Sequence, residues 1–427
     1  MSLYFPMAVA EDDAMLFIRD AEVEDVLTEM AKIIFKVAKL NPDTARVYVI
    51  HSSQINAFTL GNGYIFINSG LLLKFTNPLH LIAIMCHETA HVAAGHINRL
   101  MAALQARNRN FTAAAMAGIL GSVIIGSPAA MAILLGYAIS DERFFLKYSR
   151  GEEFAADALA ARYLIALGYS PTALMEILYE FDHMDLLSGG VNLPIYVVSH
   201  PRAADRISAI RKFSSAGKSA GVVAEDLAER YRRIIVKLKS YLKPIEFQTQ
   251  LPEDPYARVV HLQRTGKIST ATAIMRKLVQ DNPSDIYYKE TLAQLMYESG
   301  QLSEAAKIYQ SICRLDVNVL TRIDYANVLV EEGKNLDEAV SILESVKHKD
   351  PLNETIFRLL AKCYGKKGKN ALSMLMLARE QTLLRNYSRA NDLLDCCFKM
   401  FDAKTEQSYI KQARELQQML RRDLIPG

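Results

Sequence analysis

The chain has 427 residues, too many for one ordinary core, so two domains are expected. Half of the residues are hydrophobic and 23% are charged, which excludes a disordered chain. Fifty basic against 47 acidic residues leave a net charge of +3, and no basic stripe interleaves with aromatics, so no nucleic-acid partner is expected.

In chain order, residues 12–40 read as an amphipathic helix ending before Asn41-Pro42. Ala45 to Ile50 is a β-branched strand candidate. Asn56 to Leu60 and Tyr64 to Asn68 flank the turn Gly61-Asn62-Gly63, which signals a hairpin. Asn77-Pro78 opens a helix over 79–100 that contains the histidines. Residues 110–140 carry no charge and are long enough to suggest a membrane span, but glycines and Ser127-Pro128 divide them into halves too short to cross singly. A helix over 151–167 stops at Gly168, and Ser170-Pro171 opens the next. Pro244, Pro252 and Pro255 punctuate a weakly apolar stretch, read as a linker over 243–256.

Beyond it the pattern repeats. Ala271, Ala305 and Ala339 are 34 residues apart, as are Asn282, Asp316 and Asp350. Gly266, Gly300, Gly333 and Gly368 follow nearly the same interval. A 34-residue period of two helices resembles the tetratricopeptide repeat, and Ala305-x3-Tyr309 fits part of its signature. About three repeats are clear, with a degenerate region from Leu352 onward.

Five cysteines without a CxxC pair predict no disulfide framework. Met1 to Pro6 lacks the basic and apolar regions of a secretory signal. Either the protein stays inside, or the sequence is a mature or trimmed form.

The chemistry centres on His87-Glu88-Thr89-Ala90-His91. Spacing of i, i+4 puts both imidazoles on one helical face, where their nitrogens can converge on one zinc. Glu88 beside them is placed to take a proton from a metal-bound water. The bland alternative is two histidines satisfying local hydrogen bonds on a buried helix. Three ionisable groups in an otherwise apolar helix argue against it. His96, five residues beyond His91, is expected to point away and make a structural hydrogen bond. Downstream, Glu153 and Asp157 share a face of an apolar helix. Glu153 as third ligand, with Asp157 hydrogen-bonding a ligand histidine, accounts for both; the alternative is an ordinary acidic helix start.

HExxH followed by ExxAD resembles the gluzincin metallopeptidases of the HtpX and BepA type. Three further segments agree: Asn56 through Leu72, His91-x4-His96, and Ser199-His200-Pro201 with Arg206-Ile207. The resemblance covers about residues 40–212, with Asn62 standing where glycine is more usual. It implies one zinc on His87, His91 and Glu153, Glu88 as general base, and His200 and Arg206 as oxyanion-stabilising candidates. His200 is alternatively a reversible zinc ligand that holds the enzyme shut, or merely part of a helix-start turn. Because His91 and Glu153 must meet on one metal, 110–140 is expected to lie at a membrane surface, cover the cleft, or enter the core.

The predicted architecture is α+β and mainly helical. A zincin-type domain with a small hairpin or sheet spans 1–242, and an all-α repeat solenoid spans 257–427. The predicted activity is zinc-dependent endopeptidase cleavage of unfolded or misassembled proteins. An edge of the strand before the zinc helix would take the peptide, and the repeats would recruit clients or a protein partner. The resemblance places it in the periplasm or cell envelope. The rival readings are a repeat-based assembly factor with a latched or inert zincin domain, a membrane-embedded prenyl protease, and a metal aminopeptidase.

Overall fold

The computed structural model describes residues 17–61, 63–97, 99, 149–188, 196, 200, 203–214, 221–243, 252–315, 317–351, 353–384, 386–402 and 407–423. Among these, the chain parts into two compact units between Thr265 and Gly266. The uncharged stretch 110–140 lies outside the described residues, as do most of the linker residues 243–256.

In the first unit a four-stranded sheet forms from β1 (Phe17–Ile18), β2 (Arg46–Ile50), β3 (Ala57–Gly61) and β4 (Tyr64–Asn68), in the order β1-β2-β4-β3. β1 runs antiparallel to β2, β2 parallel to β4, and β3 and β4 form the antiparallel hairpin around Gly61 and Gly63. Gly63 has φ +86°, and a Cβ there would meet the Thr44 carbonyl oxygen at 2.4 Å, so only glycine fits the turn. Side chains alternate between faces. Val47, Val49, Ile65 and Ile67 enter the core, while Phe58, Tyr48 and Phe17 ring Phe66 on the other face, with centroids 5.2, 5.8 and 6.4 Å away.

Helix α1 (Ala21–Val37) is capped by Asp20, whose carboxylate accepts from the Val23 amide at 3.0 Å. It buries Val23, Val26, Leu27, Met30 and Ile34 at helical spacing against the sheet. The expected helix over 12–40 is therefore shorter. Phe17 and Ile18 pair with Ile50 and Val49 instead. After the short α2 (Ser69–Lys74), α3 (Pro78–Ala93) starts at the Asn77 cap. Leu81, Ile82, Ile84 and Met85 are fully buried, each contributing roughly 1.5–3 kcal/mol. α3 ends seven residues before the expected Leu100, because Gly95 adopts φ +68° and breaks the ladder.

α3 packs along β3, which is an edge strand of the sheet. β4, the strand nearest α3 in sequence, is interior, so the strand before the zinc helix is not an edge strand. Helices α4 (Arg150–Ala166), α5 (Thr172–Ser188) and α6 (Ala203–Ser214) complete the site's surround, with α4 and α5 packed on α3, and α6 on α4 and α5.

α7 (Glu225–Leu242) and α8 (Pro255–Arg264) close the unit through a buried ionic cluster. Lys237 Nζ lies 2.8 Å from Asp20 and 3.0 Å from Glu22. Arg233 also pairs with Glu22, and the Tyr256 hydroxyl donates to it at 2.9 Å.

The second unit is all helix among its described residues: α9 (Ile268–Asp281), α10 (Ile286–Glu298), α11 (Leu302–Cys313), α12 (Val319–Glu332), α13 (Leu336–Val346), α14 (Glu354–Lys366), α15 (Asn370–Leu383), α16 (Tyr387–Met400) and α17 (Gln407–Asp423). α9, α11, α13 and α15 start 34 residues apart. Gly266, Gly300, Gly333 and Gly368 precede them with φ between +70° and +78°, the left-handed turn that ends one helix and starts the next. Ala271, Ala305 and Ala339 are fully buried, where a larger side chain would hold the helices apart. Beyond Leu352, α15 keeps the 34-residue interval. Ser373 takes the alanine's position, and its hydroxyl donates to the Ala361 carbonyl at 2.8 Å.

Candidate metal centre

α3 turns His87 and His91 to one face, and their Nε2 atoms stand 3.1 Å apart. α4 begins in a capping box between Ser149 and Glu152 and carries Glu153 to the same point. Glu153 Oε1 is 3.4 Å from His91 Nε2, and Oε2 is 3.5 Å from His87 Nε2. His200 joins them, with Nδ1 2.8 Å from Glu153 Oε1 and 3.3 Å from His87 Nε2. These four side chains are buried and offer ligand atoms all within 4.8 Å of one another.

The residues fit a tetrahedral metal ion. Metal–nitrogen bonds of about 2.0–2.1 Å require donor–donor edges of roughly 3.3–3.4 Å. The two imidazole nitrogens stand 3.1 Å apart, and each has a Glu153 oxygen at a similar distance, Oε1 3.4 Å from His91 and Oε2 3.5 Å from His87. Neither oxygen of Glu88 makes a hydrogen bond among the described residues, although the side chain is buried; its nearest basic group is His200 Nε2, at 3.6 Å. A carboxyl that is buried beside histidines without a hydrogen bond among the described residues is unlike an ordinary scaffold residue.

A second layer orients the first. Asp157 Oδ1 lies 3.0 Å from His87 Nδ1, which leaves Nε2 facing the cluster. Arg206 from α6 grips Asp157 with two bonds, Nε to Oδ2 at 2.7 Å and Nη2 to Oδ1 at 2.8 Å. Its Nη1 reaches Glu153 Oε2 at 2.8 Å and the His200 carbonyl at 3.2 Å. The guanidinium is thus bound to the carboxylates of Asp157 and Glu153. His96 makes the structural hydrogen bond expected of it, but not in the expected direction. The chain leaves α3 at Gly95, so His96 does not point away but swings back, with Nδ1 2.9 Å from His91 Nδ1. It does for His91 what Asp157 does for His87.

The electrostatics follow from burial and pairing. Burial pushes the Glu88 carboxyl above its ordinary range, with the histidine charges opposing. For Asp157, burial works upward but Arg206 and His87 prevail, holding the carboxyl at about 2. Glu153 is held far lower still, against its burial, by His200 and Arg206. Burial drives His91 well below the usual imidazole value. For His87 burial works downward, but Asp157 and Glu153 prevail and raise it to about 9.

All seven residues singled out from sequence, His87, Glu88, His91, Glu153, Asp157, His200 and Arg206, meet in one cluster. Tyr196 escaped the sequence reading. Its ring centroid lies 4.4 Å from that of His200. An aromatic four residues before a histidine gives no signal outside a known fold.

Two histidines one helical turn apart, a glutamate from a second helix and a buried acid beside them define a gluzincin-type metalloprotease site. Comparison with known proteins agrees: residues 18–214 match the sequence model of Peptidase family M48, which supports a metalloprotease. It is similar to the putative beta-barrel assembly-enhancing protease of Vibrio cholerae, 24% identical over 401 residues, covering 86% of this chain and 80% of the relative. The beta-barrel assembly-enhancing protease of Yersinia pestis is 22% identical over 384 residues, 86% of this chain and 76% of its own. The metalloprotease LoiP of Escherichia coli is 29% identical over 201 residues, covering 46% of this chain and 73% of the relative.

Proposed function

We propose that this chain is a zinc endopeptidase that cleaves unfolded or misassembled proteins in the cell envelope, with its repeats recruiting the client or a protein partner. The observation that carries the reading is the convergence of His87, His91 and Glu153 around one point, beside the buried carboxyl of Glu88, which makes no hydrogen bond among the described residues. Zinc held by those three side chains would supply Lewis acidity and lower the pKa of a water toward 7. Glu88 would take a proton from the attacking water and return it to the leaving amine. Its raised proton affinity, set by burial, suits both steps. Asp157 and His96 hold the two imidazoles in register, and Arg206 fixes Asp157 and Glu153.

The position of β3 as an edge strand beside α3 supports an extended peptide as substrate. Main-chain hydrogen bonds would bind it with little demand on side chains, which favours unfolded segments. The relatives' names speak of beta-barrel assembly. An alignment of 401 residues takes in the repeats as well as the peptidase domain, which supports a shared setting in the envelope. Among the described residues no helix is long and apolar enough to cross a membrane. Residues 110–140 remain the proposed point of peripheral membrane contact. The domain limits proposed are a peptidase part over 1–242, a linker over 243–256 and repeats over 257–427.

His200 favours a second, regulatory reading. Its Nδ1 stands among the donors, 2.8 Å from Glu153 Oε1, so we assign it as a fourth ligand that closes the site. In this state the protein would serve as a latched assembly factor, and cleavage would need His200 to leave. Casein hydrolysis by zinc-loaded wild type and His200→Ala tests this. The variant should cleave several-fold faster, and equal or slower cleavage would remove the latch.

A further inference from the structure

We infer that Tyr196 is the positioning residue that keeps His200 inside the donor cluster; the inference rests on the closing-ligand reading of His200. Tyr196 is buried to 2% exposure, and its ring lies over the His200 imidazole with planes inclined at 31° and centroids 4.4 Å apart. The same ring stacks on Phe181 of α5, with centroids 4.8 Å apart and planes at 24°. Phe181 in turn meets Phe75 edge-on at 5.6 Å, so Tyr196 belongs to a packed aromatic row fixed to the core.

The main chain repeats the tether. The Tyr196 amide donates to the Ile55 carbonyl at 3.3 Å, and the His200 amide donates to the Tyr196 carbonyl at 2.9 Å. Ile55 immediately precedes Asn56, whose own carbonyl accepts from Asn68 of β4 at 2.9 Å. Tyr196 thus fixes both the ring and the backbone of His200 to elements that the sheet and α5 hold in place. The Arg206 bond to the His200 carbonyl, at 3.2 Å, fixes the backbone alone. The tyrosine ring acts on the imidazole itself, beside its contacts to Glu153 and His87. Aromatic contacts of this kind change an equilibrium by roughly three- to tenfold.

The test is a double-mutant cycle in the zinc-loaded, full-length protein, read by the rate of zinc extraction by EDTA and by kcat and KM for casein. Tyr196→Met keeps bulk but removes the ring plane. It should speed zinc extraction about three- to tenfold, raise kcat by a similar factor and leave KM nearly unchanged. Tyr196→Phe, which keeps the ring, should restore the wild-type extraction rate. In a His200→Ala background Tyr196→Met should add nothing. An undiminished effect in that background, or a Tyr196→Phe as fast as Tyr196→Met, would show a merely structural residue and overturn the inference. If His200→Ala alone changes neither extraction nor kcat, the closing-ligand reading fails and takes the inference with it. If His200→Ala acts and Tyr196→Met does not, the inference alone falls.

Discussion

Lys237→Met probes the ionic cluster that ties α7 and α8 to the start of α1. Lys237 is 3% exposed, and its ammonium reaches Asp20 at 2.8 Å and Glu22 at 3.0 Å. Methionine fills similar volume but leaves Asp20 and Glu22 without this cation, although Arg233 still pairs with Glu22. Breaking a buried pair on one side costs about 3–5 kcal/mol. For a unit of this size, that is a fall in Tm of roughly 6–20 °C. The pH dependence follows from two shifts. Burial raises the Asp20 carboxyl, but Lys237 more than offsets it, leaving the group below its ordinary 3.8. A depressed acid stabilises above its unfolded pKa, and that stability is lost as pH falls through the folded value. Burial lowers Lys237, yet Asp20 and Tyr256 carry it well above 10.5. A raised base stabilises fully below 10.5 and loses that contribution as pH climbs toward the folded value. The gap between wild type and Lys237→Met, followed by denaturant melts of the apo protein, should be widest between about pH 5 and 9 and narrow below about pH 3. A gap under about 1 kcal/mol at pH 7, within the range of an exposed pair, would refute the reasoning, as would one independent of pH.

Asp157→Asn should weaken metal binding about 10–100-fold, because His87 loses the carboxylate that orients it; competition against a chromophoric chelator measures this. Ala305→Leu should destabilise the repeat unit by about 1–3 kcal/mol, seen in the denaturation of that unit, because the alanine is fully buried between helices. Gly95→Ala should cost about 1 kcal/mol or more, since φ +68° strains any Cβ, and calorimetry of the peptidase unit would detect it.

Local geometry explains which parts of the site could be read from sequence. His87 and His91 share a face on any α-helix, so their convergence needs no knowledge of the fold. Asp157 was suspect because an acid in an apolar helix needs a partner. The identity of that second partner, Arg206, is 49 residues away in sequence and depends on how α6 meets α4. The family resemblance pointed to Arg206, and its pairing with Asp157 and Glu153 adds a positioning part that the resemblance did not imply. His96 was misplaced because the helix was carried through Gly95. The glycine was itself the stop signal, and the apolar residues around it masked that. The hairpin was legible from its turn. β1 was not, since two residues of apolar pattern fit a helix as well as a strand. The repeat period was visible wherever alanine marked it, and faded at Ser373, although the helices keep the interval.

The most direct test of the central claim is metal content together with casein cleavage, for the wild type and for Glu88→Gln. The account predicts one zinc per chain in both proteins, with cleavage in the wild type lost in Glu88→Gln. Absence of bound zinc from the wild type, or cleavage that survives in Glu88→Gln, would contradict it.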